Sequence, residues 1–415
     1  MHEADDQVCG MDKVLFIAVV LLVSFGLVMV YSASSVMADK MMGSSTYFLV
    51  RQSMYAFLGL VLMLVMSRVN YHIFQNGRLI WFLLIASLVG ILACHTPLGL
   101  TIKGAARWIS AGPVTIQPAE AAKVMLVMWL SYSLVKKSPR IKTFSIGFLP
   151  HLIIPGIFMM ACMTQPDFGT TVVLALLTFS LLFIAGAKLG YIMLAGIVAA
   201  PIVWFLIAGS AYRLARVSAF MDPLATRFTT GYQLSQSLFG YAAGGKSGVG
   251  LGDGLQKLLF LPEAHNDFIG AIIGEELGVY GIWALLLIIA VVVGRGFVIG
   301  IRARDEFGML IAFGISILFA LQSLANLGVS MGLLPTKGLN LPFVSYGGSA
   351  LLISMTSVGI LLNISRRPKM IAIADPLPGG GGADEEEAGK GQGNQRRRTS
   401  QNVRSSADHL ERGSR

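Results

Sequence analysis

The stretch Leu261-Pro-Glu-Ala-His-Asn-Asp-Phe-Ile-Gly270 brings together two carboxylates (Glu263, Asp267), an imidazole (His265) and an amide (Asn266). It lies where a polar, glycine-rich loop runs into an apolar helix. Carboxylates and imidazoles are the side chains that take up and hand on protons in enzymes. Ionisable groups at the mouth of a membrane helix are costly to keep, which makes them functional candidates. The plainer alternative is that His265 or Asn266 caps the helix and Asp267 complements its N-terminal dipole.

Other charged residues surround this stretch in sequence. The segment 210–267 carries Arg213, Arg216, Arg227, Lys246 and Lys257 against Asp222, Asp253, Glu263 and Asp267. Arginine meets phosphate with two parallel hydrogen bonds, so an anionic ligand would explain the basic groups; simple solvation of a loop is the competing reading. Upstream, Arg107 leads into Gln117-Pro-Ala-Glu120-Ala-Ala-Lys123, where Glu120 and Lys123 share one helical face at i, i+3 and suit an internal ion pair. Gln165-Pro-Asp-Phe-Gly-Thr170 marks a break between two apolar segments, with Asp167 placed as a cap.

Two glycine patterns carry less. Gly240-Tyr-Ala-Ala-Gly-Gly-Lys246-Ser247 fits the phosphate-loop spacing but has no strand before it and sits between two membrane segments, so it reads as accidental. The alternating glycines 248, 250, 252 and 254 lack a dinucleotide-binding context and suggest backbone free to approach a ligand closely.

The elements that must position these groups follow from composition. Of 415 residues, 54% are hydrophobic and 13% charged, with a mean hydropathy of +0.69. Soluble domains carry roughly 25% charge, so this is an all-α polytopic membrane protein. Ten segments approach the length of about 20 residues that a span requires: 13–33, 47–67, 79–95, 118–135, 145–164, 168–186, 189–209, 268–294, 306–333 and 347–365. A long extracytoplasmic loop then separates spans 7 and 8. Asp5, Asp6 and Lys13 precede the first span, which reads as a retained anchor rather than a cleaved signal.

Arg68, Arg78, Lys136, Lys137, Arg140, Lys142, Lys188, Arg295, Arg302, Arg304, Arg366, Arg367 and Lys369 all fall on one side of such a layout. The positive-inside rule makes that side, and both termini, cytoplasmic. Segments 96–117, 210–267 and 334–346 then face outward. The net charge of +10 therefore speaks of membrane orientation and not of nucleic acid. Cys9, Cys94 and Cys162 form neither a disulfide framework nor a metal-ligand spacing. Gly270, Gly274 and Gly278 form a ridge for close helix packing. Residues 1–12 form a cytoplasmic N-terminus, and the tail 367–415, rich in Gly, mixed charge blocks and polar filler, is expected to be disordered.

Several motifs together resemble one family. They are Arg107-Trp108, Gln117-Pro118-Ala119-Glu120, Gln165 to Thr170, Tyr212-Arg213, Arg216, Asp222-Pro223, Gly231-Tyr232-Gln233, Leu261 to Phe268, Gly274-Glu275-Glu276-Leu277-Gly278 and Leu341 to Ser349. Over 13–366 the chain resembles the SEDS family, the polytopic proteins of bacterial division, elongation and sporulation. The Pro-Glu-Ala-His form is similar to the division branch. Asn266, Gly270 and Lys246 depart from the family's usual Thr, Phe and bulky apolar residue.

The resemblance implies a transmembrane peptidoglycan glycosyltransferase that polymerises lipid II outside the cytoplasmic membrane at the division septum. It implies work beside a class B penicillin-binding transpeptidase and other divisome membrane proteins, among membrane lipids. Asp267 would be the catalytic base; Arg213, Arg216 and Lys257 would hold phosphate; Arg107, Glu120 and Lys123 would line the cavity; His265 would orient its neighbours. No cofactor is fixed, and a divalent cation stays open. Two other classes remain in play. A lipid II transporter would show an internal repeat and mid-membrane charges. A non-catalytic divisome scaffold would tolerate Asp267→Ala.

Overall fold

The computed structural model describes residues 10–102, 105–111 and 114–366. Cys9, Gly104 and the tail expected to be disordered lie outside the described residues.

One helix meets each expected span: α1 (Lys13–Met42), α2 (Tyr47–Met66), α3 (Gly77–Ala93), α4 (Pro118–Lys136), α5 (Pro150–Thr164), α6 (Phe168–Ile184) and α7 (Leu189–Ala208). The loop 210–267 holds two more helices, α8 (Ala211–Met221) and α9 (Tyr232–Gly244), where the sequence suggested only loop. Then come α10 (Ile269–Ile301), α11 (Glu306–Ser330) and α12 (Gly348–Ser365). Among the described residues seven helices are long and apolar enough to cross a membrane, and α3 and α6 are shorter apolar helices. Segment 96–117 holds a three-stranded antiparallel sheet of β1 (Gly99–Ile102), β2 (Ala105–Ala111) and β3 (Val114–Ile116), with Leu100 opposite Trp108 and Ile109 opposite Ile116.

Local chemistry sets the helix ends. Asp12 caps α1 by accepting from the Leu15 amide at 2.9 Å, and Gly43 ends it in the left-handed conformation. The helix runs past the expected end at 33, and Ser34 is accommodated within it with its hydroxyl bonded back to the Val30 carbonyl at 2.6 Å. Asp305 caps α11 through the Gly308 amide at 2.6 Å. Burial then sorts the helices. In α11 and α12 two-thirds of the most apolar window is inside the protein, so they form the centre; α7 buries no residue and presents apolar side chains all round.

Helix α10 is broken at Gly278, whose φ of 65° and ψ of −162° is essentially reserved for glycine. A break at membrane depth exposes backbone polar groups that need partners. Segment 244–250 supplies them. The amides of Val249 and Gly250 donate to the carbonyls of Glu275 (3.0 Å) and Glu276 (3.1 Å). In return, the amides of Val279 and Tyr280 donate to the carbonyls of Gly245 (3.0 Å) and Lys246 (3.2 Å). This corrects the reading of the alternating glycines. Their close approach is to the chain's own backbone: a Cβ on Gly248 would run into the Glu276 carbonyl. The ridge Gly270-Gly274 packs against Tyr241 of α9, and a side chain on Gly274 would displace that ring.

Candidate functional site

Asp267 lies one residue before the α10 N-cap, Phe268, and is half-buried. The N-cap position of α10 falls on Phe268, past the His265 and Asn266 considered for it. Asn266 instead donates to the Glu263 carboxylate at 2.6 Å. The turn 263–268 is braced from three sides. The Asn326 amide of α11 donates to the Asp267 carbonyl at 2.9 Å and to the Leu339 carbonyl at 2.6 Å. Ser345 donates to the Asn266 carbonyl at 2.7 Å, and the Tyr346 amide to the His265 carbonyl at 2.9 Å. Gln52 of α2 in turn holds the Ser345 carbonyl at 3.2 Å.

Two non-glycine residues in these loops, Glu263 (φ 56°) and Phe343 (φ 67°), adopt the left-handed region. Such strain gathers where surrounding contacts over-determine a geometry. The His265 imidazole packs between Phe48 and Tyr346, with ring centroids at 4.9 and 5.7 Å, and is 5% exposed. It is placed to fix the turn.

The Asp267 carboxylate faces the segment Thr336-Lys337-Gly338. A Cβ on Gly338 would stand 3.1 Å from Asp267 Oδ2, so only the lack of a side chain there leaves the carboxylate its room. Next to Gly338, Lys337 extends over the Phe168 ring, 3.9 Å from its centroid. Burial pushes the Lys337 ammonium down to about 8, and Arg216, Arg213 and Arg107 push the same way while Asp167 opposes them. Those residues are therefore its electrostatic neighbours. Arg216 donates to the Thr336 carbonyl at 2.8 Å, and Arg107 to the Gln165 carbonyl at 3.0 Å and the Pro166 carbonyl at 2.7 Å. Arg213 is turned back onto the Leu206 carbonyl of α7 at 2.5 Å. Asp167 caps α6, accepting from the Thr170 amide and hydroxyl at 3.2 and 2.8 Å, as the sequence suggested.

The structure thus makes Arg107, Arg213 and Arg216 electrostatic neighbours of Lys337, which adjoins the Gly338 that Asp267 faces. Lys337 is the residue that sequence reasoning missed. Its signal was present: a basic residue in a segment assigned to the outer face, against the positive-inside bias, as for Arg213 and Arg216. Asn326 was missed as well, inside an apolar helix pattern.

Glu120 and Lys123 form the expected pair at 2.7 Å, with Lys123 1% exposed, on the buried first turn of α4. Beside Glu120 a small cavity is lined by Gln322, Asn340, Ser345 and Ser354.

Lys257 has a different place from the one the sequence suggested. Its ammonium is buried and held by the Glu276 carboxylate at 3.0 Å, by Ser32 of α1 at 3.3 Å and by the Gly252 carbonyl. A cation so enclosed is committed to an internal pair. Among the described residues no three His, Cys, Asp or Glu side chains converge to hold a metal ion.

A polytopic helical membrane protein with a braced carboxylate beside a cationic loop surface is the class defined so far. Comparison with known proteins narrows it. The profile of the FtsW/RodA/SpoVE cell cycle proteins matches residues 12–370, and the chain belongs to that family. A protein of Trichlorobacter lovleyi named probable peptidoglycan glycosyltransferase FtsW is 46% identical over 359 residues, covering 86% of this chain and 94% of its own length. One of the same name from Geobacter sulfurreducens is 42% identical, covering 86% and 96%. Among solved structures, one chain of a peptidoglycan synthase complex that coordinates polymerization and crosslinking superposes with a TM-score of 0.72 at 25% identity, covering 86% of this chain and 98% of that one. The rod shape determining protein RodA of Thermus thermophilus shares the fold, with a TM-score of 0.64 over 86% and 97% at 24% identity.

Proposed function

We propose that the chain is a peptidoglycan glycosyltransferase that polymerises lipid II at the outer face of the cytoplasmic membrane during division. The observation that carries this reading is the Asp267 carboxylate, braced at the mouth of α10 and facing a loop whose Lys337 has Arg107, Arg213 and Arg216 around it. Joining a sugar hydroxyl to a pyrophosphate-linked donor requires those two features. As the acceptor oxygen bonds to the anomeric carbon, Asp267 takes its proton. The bond from that carbon to the pyrophosphate oxygen breaks, and the electron pair leaves with the carrier pyrophosphate. The cationic side chains steady that charge. Were a divalent cation to bind there, it would supply further charge stabilisation to the departing pyrophosphate.

The layout has ten spans, both termini in the cytoplasm and 210–267 outside. A class B penicillin-binding transpeptidase works beside the chain at the septum, with other divisome membrane proteins. The transporter reading draws less support, because four of the backbone groups freed by the break at Gly278 are taken by segment 244–250 and so are not open to cargo. The test is lipid II polymerisation by purified wild type and Asp267→Asn, each with its thermal unfolding recorded. Loss of product with unfolding unchanged is expected; equal rates in the two proteins would overturn the base assignment.

A further inference from the structure

At the membrane face opposite the Asp267 site, the ends of α1, α10 and α12 enclose a cavity of about 230 Å³. Its polar wall carries Lys13, Arg295 and Arg302. Only one carboxylate, Asp12, lies in that wall, and it is fully engaged: Oδ1 accepts the Leu15 amide, and Oδ2 accepts Arg295 Nε at 3.0 Å with a second guanidinium bond. The Asp12 amide donates to Ser365 at 3.1 Å, which ties the three helix ends together. Among the described residues no carboxylate pairs with Lys13 or Arg302, and both are exposed. Next along the chain from Ser365, Arg366 reaches Met11 while its Nε is buried without a partner. Three cations thus share one rim with one neutralised anion, and Arg366 follows directly on Ser365 of that rim.

The cavity's other wall is apolar. Val14 and Val298 line it, and the exposed side of α1 continues away from it through Val14 (51% exposed), Ile17 (55%) and Leu21 (53%). A free inorganic anion would use the cations and leave this apolar track idle; a molecule with a phosphate at one end and acyl chains at the other would use both. We propose that this rim is a binding site for the phosphodiester headgroup of an anionic phospholipid. Its phosphate sits between Lys13 and Arg302, and its acyl chains lie along the exposed stripe of α1. Basic pockets between helix ends on the positive side of a membrane protein are suited to this. The site is remote from the proposed catalytic surface, so the two stand or fall separately.

The test titrates the full-length protein in detergent with phosphatidylglycerol, phosphatidylcholine or inorganic phosphate and counts bound lipid by native mass spectrometry. Phosphatidylglycerol is expected to bind and phosphatidylcholine to bind far more weakly. In Lys13→Gln/Arg302→Gln the phosphatidylglycerol affinity should fall about 30-fold, roughly a factor of five for each basic side chain at a membrane surface. Arg140→Gln/Lys142→Gln, which removes two exposed cations elsewhere on the same face, should change it by less than about threefold. Equal binding of the two lipids, equal losses in the two double variants, or displacement of the lipid by millimolar inorganic phosphate would each overturn the proposal. All four residues are exposed, so the folded state is not at risk.

Discussion

A carboxylate at the water edge of a membrane helix can be a cap, a counter-ion or a base, and the proposed function gives Asp267 the last of these roles. It stands one residue outside the α10 N-cap, its main chain is pinned by Asn326, and its side chain faces the Gly338 segment. Replacing it with asparagine keeps the shape and removes the proton acceptor. Polymerisation should fall at least 10²-fold, the usual loss when a positioned base is removed, with thermal unfolding unchanged. Lys337 provides a second reading at the same scale. Its folded-state value near 8 means that the ammonium charge is lost as pH rises through 8. If that charge holds the pyrophosphate, the apparent KM for lipid II should climb from pH 7 to 9, with about tenfold fewer charged lysines one unit above the midpoint. Lys337→Arg keeps its charge and should flatten the profile, whereas Lys337→Gln should raise KM at every pH. The sign for stability is opposite. A lysine whose folded value is depressed binds its proton more weakly than the unfolded chain does, so stability rises with pH between about 8 and the ordinary lysine range. An arginine variant with an unchanged pH profile of KM would remove Lys337 from the pyrophosphate.

At the scale of elements, the break in α10 and its clamp hold the outer loop in place. Glu276 and Lys257 are both buried, and with Ser32 they join α10, the segment 252–257 and α1. Removing one partner strands a charge, so Lys257→Met or Glu276→Gln should each destabilise the fold by about 3–5 kcal/mol. Lys257→Met/Glu276→Gln, which removes both charges, should cost less than the sum of the two single changes; additive losses in a thermal unfolding cycle would contradict this. Gly278→Ala should cost about 1–3 kcal/mol for the backbone alone, and more because its Cβ meets the Lys246 carbonyl. These elements also show how far the sequence could be read. The apolar helices were legible because the length and composition that a span requires survive any packing. Helices α8 and α9, of 11 and 13 residues, fall below that length and sit in a polar stretch, so they read as loop. The break at Gly278 was invisible because apolar periodicity runs on through it. Lys257 was misplaced because a cation's sign says nothing of which anion it meets. Arg107, Arg213 and Arg216, singled out in the sequence, turn out to be electrostatic neighbours of Lys337, which was open to the same outer-face charge logic as Arg213 and Arg216.

For the whole molecule, the question is which face of the membrane each loop occupies, and side-chain bonds answer half of it. The Asp12 bonds to Arg295 and Ser365 put the start of α1 and the ends of α10 and α12 on one face. Tyr71 and His72, just after α2, bond to Asp305 at 3.0 and 2.6 Å, which adds the start of α11 to that face. Asn363 of α12 joins it by donating to the Ser67 carbonyl at 3.0 Å and accepting the Tyr71 amide at 3.0 Å. The site built around Asp267 and Lys337 lies at the other ends of α10 and α11. Geometry therefore fixes two faces without naming them, and the basic residues name them: Lys13, Arg295, Arg302, Arg304 and Arg366 crowd the first face, which the positive-inside rule makes cytoplasmic. In a background with Cys9, Cys94 and Cys162 replaced by serine, a single cysteine introduced by Asp253→Cys should react with a membrane-impermeant maleimide added to intact spheroplasts. One introduced by Lys142→Cys should react only after permeabilisation. The reverse pattern would put Asp267 in the cytoplasm, where no polymer could reach the wall, and would overturn the proposed function together with the orientation.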